Sequence, residues 1–156
     1  MRLPERKDLA RLARRRRLSL LVLFGSQARG RAAPGSDVDL AYLDADPKRP
    51  PDRLRLSSDC ADLFGTEALD LLDLRRCEPL AAYEAFRGGR LLYERRPGLH
   101  AERYSYAVRR YADTRKFRDG IDLYLDAALA RWRRRGVLGV AERRPRRSPG
   151  PGRRRG

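Results

Sequence analysis

Histidine occurs once in this chain and cysteine twice, with no Cys-x-x-Cys pair. That scarcity excludes a zinc centre of the Cys/His kind. Long apolar runs are also missing. The first, Leu18 to Phe24, is far too short to span a bilayer, and the opening residues lack a signal-peptide pattern. No membrane association is expected. Cys60 and Cys77 are therefore read as reduced thiols of a cytoplasmic protein. Acidic residues fall well short of basic ones, 21 against 37, which leaves a net charge of +16.

The 156 residues suit one domain with a modest core. The basic surplus is uneven. Glu142 to Gly156 holds seven Arg against one Glu, in an Arg-Pro-Gly-Ser composition without apolar periodicity. Such a segment is expected to be disordered. It offers a contact for nucleic acid or an acidic partner, against the plainer reading of a solubilising tail.

The rest of the chain reads as alternating elements. Pro4 to Arg17 is a helix with Leu9, Leu12 and Ala13 on one face. Leu18 to Phe24 is a buried strand stopped by Gly25. A short helix begins near Gln27, and Asp37 to Leu43 alternates as a second strand. Asp52 to Phe64 is a helix with Leu56, Cys60, Leu63 and Phe64 inward. Ala68 to Leu74 is a third strand. Pro79 to Phe86 is a helix closed by Gly88-Gly89, and Arg90 to Glu94 is a last strand. This interleaving predicts an α/β (α+β) fold, a small mixed sheet flanked by helices. From about Ala101 the pattern turns helical, with one apolar row of Tyr104, Val108 and Tyr111 and another from Phe117 to Trp132. Three parts follow: a core over 1–98, a helical extension over 99–136 that packs on the core or a partner, and the tail over 137–156.

The chemistry is concentrated in Gly25-Ser26, ten intervening residues, and Asp37-x-Asp39. On a strand Asp37 and Asp39 share a face. Two neighbouring carboxylates repel each other, a cost that cations offset, and hard oxygen donors suit Mg²⁺. Gly25 lets backbone approach a phosphate, Ser26 offers a hydroxyl donor, and Arg29 offers countercharge. Each half of the pattern is weak by itself. The combination, set between two apolar strands, predicts a site for a nucleoside triphosphate with two metal ions.

Gly25-Ser-Gln-Ala-Arg-Gly30 and Ser36-Asp-Val-Asp-Leu40 resemble the DNA polymerase β-like nucleotidyltransferase superfamily. With "LDLLDL" and "EPLAAYEAFRGGRLLYERRPG", the chain looks more closely like the minimal nucleotidyltransferase antitoxins paired with HEPN toxins. The resemblance covers about Leu9 to Trp132. It implies a polymerase β-like nucleotidyltransferase fold that uses ATP and Mg²⁺, and transfer of AMP to a tyrosine hydroxyl of a HEPN-type RNase, which silences that toxin. It places the triphosphate on Gly25 and Ser26, with Arg29 beside them, and the metals on Asp37 and Asp39. It also calls for a third carboxylate on a neighbouring strand, either Asp70 or Asp73. These face opposite ways in a regular strand, and Asp70 is favoured as the strand-centre residue. Alternative acceptors are a small molecule or an RNA end. A non-catalytic antitoxin that masks its partner by contact is the alternative outside enzymology.

Overall fold

The computed structural model describes residues 3–33 and 35–114. They form β1 (Leu18–Phe24), β2 (Val38–Asp44), β3 (Leu69–Asp73) and β4 (Arg90–Glu94), with helices α1 (Arg6–Arg15), α2 (Gly25–Ala28), α3 (Arg53–Phe64), α4 (Pro79–Arg87) and α5 (Leu99–Asp113). The predicted rows from Phe117 to Trp132 and the basic tail lie outside the described residues.

The sheet order is β3-β2-β1-β4. β1 pairs antiparallel with both β2 and β4, whereas β2 and β3 run parallel, joined by the crossover through α3. Two apolar layers enclose the sheet. One face sets Leu21, Leu23, Leu40 and Leu71 against Leu9 and Leu12 of α1 and Leu56 and Cys60 of α3. The other sets Leu20, Val22, Ala41 and Leu43 against Ala82, Ala85 and Phe86 of α4 and Leu99 and Ala107 of α5. β1 is covered on both faces, which explains why its run is apolar but for Ser19, whose hydroxyl donates to the Leu43 and Asp44 carbonyls. Full burial of each such leucine contributes about 1.5–3 kcal/mol.

Local chemistry sets the boundaries. α3 begins after Asp52, whose carboxylate accepts from the backbone N–H groups of Leu54 and Arg55. It ends at Gly65 in the left-handed region. α4 starts on Pro79, pre-set for a first helical turn. Gly88 follows α4 at φ −119°, an ordinary conformation. Gly89 serves close approach instead: a Cβ there would sit 2.0 Å from the Ala85 carbonyl oxygen and 2.6 Å from a Val22 methyl carbon. Its missing side chain lets the end of α4 lie against β1.

Two expectations need correction. The one-turn helix α2 begins at Gly25, not near Gln27. On α5 the buried residues are Leu99 and Ala107, while Val108 of the predicted apolar row is 40% exposed. Small Ala107 lets α5 approach α4 closely, so the helix is rotated away from the row that bulk hydrophobicity suggests. Tyr104 still packs at the margin of this layer, and the Tyr111 ring stacks on that of Tyr83 at 4.6 Å.

Candidate functional site

The site is built where β1 ends and β2 begins. Phe24 lies opposite Asp39 in the antiparallel ladder, so the turn after Phe24 is delivered beside the carboxylates. Gly25 takes φ +69°, a backbone conformation that side chains disfavour. Space demands glycine as well: a Cβ at this position would lie 1.9 Å from Asp39 Oδ2. The carboxylate of Asp39 therefore rests directly against the Gly-Ser turn. Gln27 Nε2 donates to the Ser36 carbonyl at 3.2 Å, and the Arg31 N–H donates to the Ser26 carbonyl at 3.1 Å, which close the intervening loop. Among the described residues the Ser26 hydroxyl makes no hydrogen bond.

Parallel pairing brings Asp70 beside Asp39. Asp39 is in register with Asp70, and Tyr42 with Asp73. Asp39 shares its face of β2 with Ala41 and Leu43, and Asp70 shares its face of β3 with Leu72. Asp73 lies on the opposite face beside Tyr42, whose hydroxyl pKa is raised by burial and then by the Asp73 charge. The Asp73 carboxylate accepts from the Arg75 backbone N–H at 2.9 Å, a turn-forming contact. Asp70 is the second residue of β3, whereas the sequence pattern puts it at the strand centre. Its register, more than its distance from the strand ends, sets it beside Asp39.

The electrostatics mark this corner. Burial pushes the Asp39 carboxyl above its ordinary value, and the charges of Asp70 and then Asp37 push it further. In so basic a chain, Asp37, Asp39 and Asp70 nevertheless make no ion pair among the described residues. The one arginine expected here, Arg29, turns to α4 and pairs with Glu84 at 3.2 Å, lying across Gly88. The site thus concentrates hard, unneutralised oxygen donors beside a glycine that opens the backbone. That donor chemistry fits a divalent cation and a phosphate chain. Among the described residues, no three His, Cys, Asp or Glu side chains already converge tightly enough to cage an ion by themselves. Ligand oxygens from the phosphates would have to complete the coordination.

The sequence profile of the family described as "Polymerase beta, Nucleotidyltransferase" matches residues 7–97. The chain belongs to the polymerase beta nucleotidyltransferase family. Within that family it is 30% identical to the protein adenylyltransferase MntA of Aphanizomenon flos-aquae over 100 residues, which are 58% of this chain and 66% of that relative. The chain thus spans just under two thirds of the relative's length. A solved toxin–antitoxin structure with AMP-PNP is similar at TM-score 0.66 and 24% identity, over 80% of this chain and 98% of that one. A complex of tri-AMPylated Shewanella oneidensis HEPN toxin with MNT antitoxin matches at TM-score 0.59 and 22% identity, over 80% and 95%. The shared fold is the mixed four-stranded sheet with flanking helices. Among the described residues of this family member, no helix is long and apolar enough to cross a membrane.

Sequence reasoning missed Glu84, the partner of Arg29, and the close-packing role of Gly89. No local signal exposes the first, because the pair joins residues 55 apart.

Proposed function

We propose that this chain transfers AMP from ATP to a tyrosine hydroxyl of a HEPN-type RNase and thereby silences it. The observation that carries the reading is the contact of Asp39 with Gly25, in register with Asp70: one corner joins the Gly25-Ser26 turn to Asp39 and Asp70, with the Asp37 charge close by. The kinship with a protein adenylyltransferase supplies the acceptor class.

In this reading Gly25 and Ser26 hold the triphosphate, the glycine by admitting it to the backbone and the serine by donating its hydroxyl. Asp37, Asp39 and Asp70 would hold Mg²⁺. Bound there, the cation would balance phosphate charge and make the acceptor hydroxyl more acidic. The acceptor oxygen attacks the α-phosphorus in line, the α–β bridging bond breaks, and pyrophosphate leaves. Asp70 is exposed at the sheet end, where its carboxylate can take the proton that the tyrosine hydroxyl gives up. Asp37 is exposed too, so the corner is shallow. It suits an acceptor that arrives on the surface of a folded partner.

The test is intact-mass spectrometry of the HEPN protein after incubation with Mg²⁺-ATP and this chain. The wild type should add one or more AMP units to a toxin tyrosine. Asp37→Asn and Asp39→Asn should add none while still binding the toxin. Neutralisation without a mass change, by wild type and variants alike, would show masking by contact and overturn the proposal.

A further inference from the structure

At the far end of β2 the surface reverses in character. From Asp39 to Asp44 the strand rises by about 17 Å, and beyond it two grooves adjoin, sharing Ala45 and Arg95. The first, of about 410 Å³, is lined by Arg14, Arg17, Arg49 and Arg95 against a single carboxylate, Asp46. The second, of about 560 Å³, adds Arg103. In that second groove Arg75 is spent on Asp44 at 2.7 Å, and Arg96 on Glu102. Arg14, Arg17, Arg49, Arg95 and Arg103 make no ion pair among the described residues. Four separate segments supply them: α1 and its exit, the loop after β2, the end of β4, and α5.

Arg17 adds an independent observation. It is the only described non-glycine residue at positive φ, +55°. A glycine would adopt this turn without strain. The turn is fixed from outside, because the Ala45 N–H donates to the Arg17 carbonyl at 2.8 Å. The chain thus accepts backbone strain and keeps a guanidinium at the groove wall. Tyr93 lines the same groove and supplies an aromatic surface.

We propose that these joined grooves bind the phosphodiester backbone of a single-stranded nucleic acid. Unpaired guanidiniums strung along a groove with an aromatic side chain make up the working parts of such sites. Grooves of this volume have the size of small-ligand sites and admit a single strand, not a duplex. The alternative partner, an acidic protein segment, would use the charge but leave Tyr93 without a base to stack on. The arginines of this site lie between Arg14 and Arg103 in the sequence, and the proposal does not depend on the nucleotidyl-transfer reading.

The experiment measures binding of a fluorescent single-stranded RNA to the full chain across a salt series. Arg17→Gly, Arg49→Ala and Arg95→Ala are combined in one variant, since glycine relaxes position 17 and the other two changes are on the surface. The expected result is at least a tenfold loss of affinity and a log–log salt slope shallower by about 2, as three lost phosphate contacts at about 0.7 each require. A matched triple at Arg11, Arg55 and Arg109, all changed to Ala, should lose less than threefold. Polyglutamate of equal charge should compete at least tenfold less well than unlabelled RNA. Equal losses in the two triples, or equal competition by polyglutamate, would overturn the proposal. AMP transfer by the groove variant should match wild type, which separates this test from that of the carboxylate corner.

Discussion

Replacing Gly25 with alanine tests the carboxylate corner at its tightest point. Two penalties arise, and they can be separated. The first is conformational: holding alanine at φ +69° costs about 1–2 kcal/mol. The second is steric. The new Cβ would start 1.9 Å from Asp39 Oδ2, where ordinary contact begins near 3.4 Å, so the carboxylate must retreat by about 1.5 Å. A displacement of about 1 Å at a reacting centre can cost about 100-fold in rate. Gly65→Ala supplies the control. Gly65 has nearly the same φ, +66°, but an added Cβ meets nothing within 4 Å. Both variants should melt lower than wild type, by about 2–4 °C per kcal/mol in a chain of this length. Only Gly25→Ala should also lose AMP transfer, by about 100-fold, together with the stabilisation by Mg²⁺-ATP that the proposal expects of wild type. If Gly25→Ala loses no more activity than Gly65→Ala, the contact with Asp39 is not part of the site.

The raised Asp39 carboxyl makes a pH prediction. Its folded pKa lies above the ordinary 3.8, so the folded state binds this proton more tightly than the unfolded chain. The resulting stability is present at acid pH and is lost as pH rises through the raised value. Asp39→Asn should therefore melt higher than wild type at neutral pH without metal, with the difference shrinking as pH falls through the raised value and gone below about 3.8, and a chemical melt at several pH values checks it. Asp70→Asn should abolish AMP transfer with little change in stability. Asp73→Asn should keep most activity and stability, because its amide oxygen still accepts from the Arg75 N–H, whereas Asp73→Ala removes that acceptor and should cost about 1–2 kcal/mol. For Arg29, kinetics of the separate Arg29→Ala and Glu84→Ala variants decide between phosphate contact and loop support. Phosphate contact lowers transfer only in Arg29→Ala, whereas loop support lowers both alike. Neither should cost more than about 1 kcal/mol of stability, because the pair is exposed.

The parts legible in the sequence were those set by contiguous residues. The strands Leu18–Phe24 and Arg90–Glu94 stand where the apolar run, the glycine stop and the Gly-Gly break put them. α3 came within one residue of expectation, the difference being that Asp52 caps the helix from outside. The pairing of Gly25 with Asp39 was legible in outline because one loop joins them. The choice between Asp70 and Asp73 was only half legible. Strand alternation says that they face apart, but the register of two strands separated by a helix decides which one meets Asp39. On α5 the sequence misled because close helix packing selects small residues, and Ala107 carries less hydrophobic signal than the neighbouring Val108.

The parallel pairing of β2 with β3 has a consequence for folding order. Antiparallel β1 and β2 need only a short loop to meet, so Gly25 and Asp39 can come together early. A parallel neighbour cannot be reached by a hairpin, and β3 joins only after α3 has carried the chain back along the sheet. Contacts between segments distant in sequence form slowly, since the chain entropy of closure is lost before the contact is made. The carboxylate corner is therefore completed only after that crossover has formed. A chain that has not yet docked β3 holds the turn and two of the acids but lacks Asp70, so the proposed AMP transfer would report that β3 has joined β2.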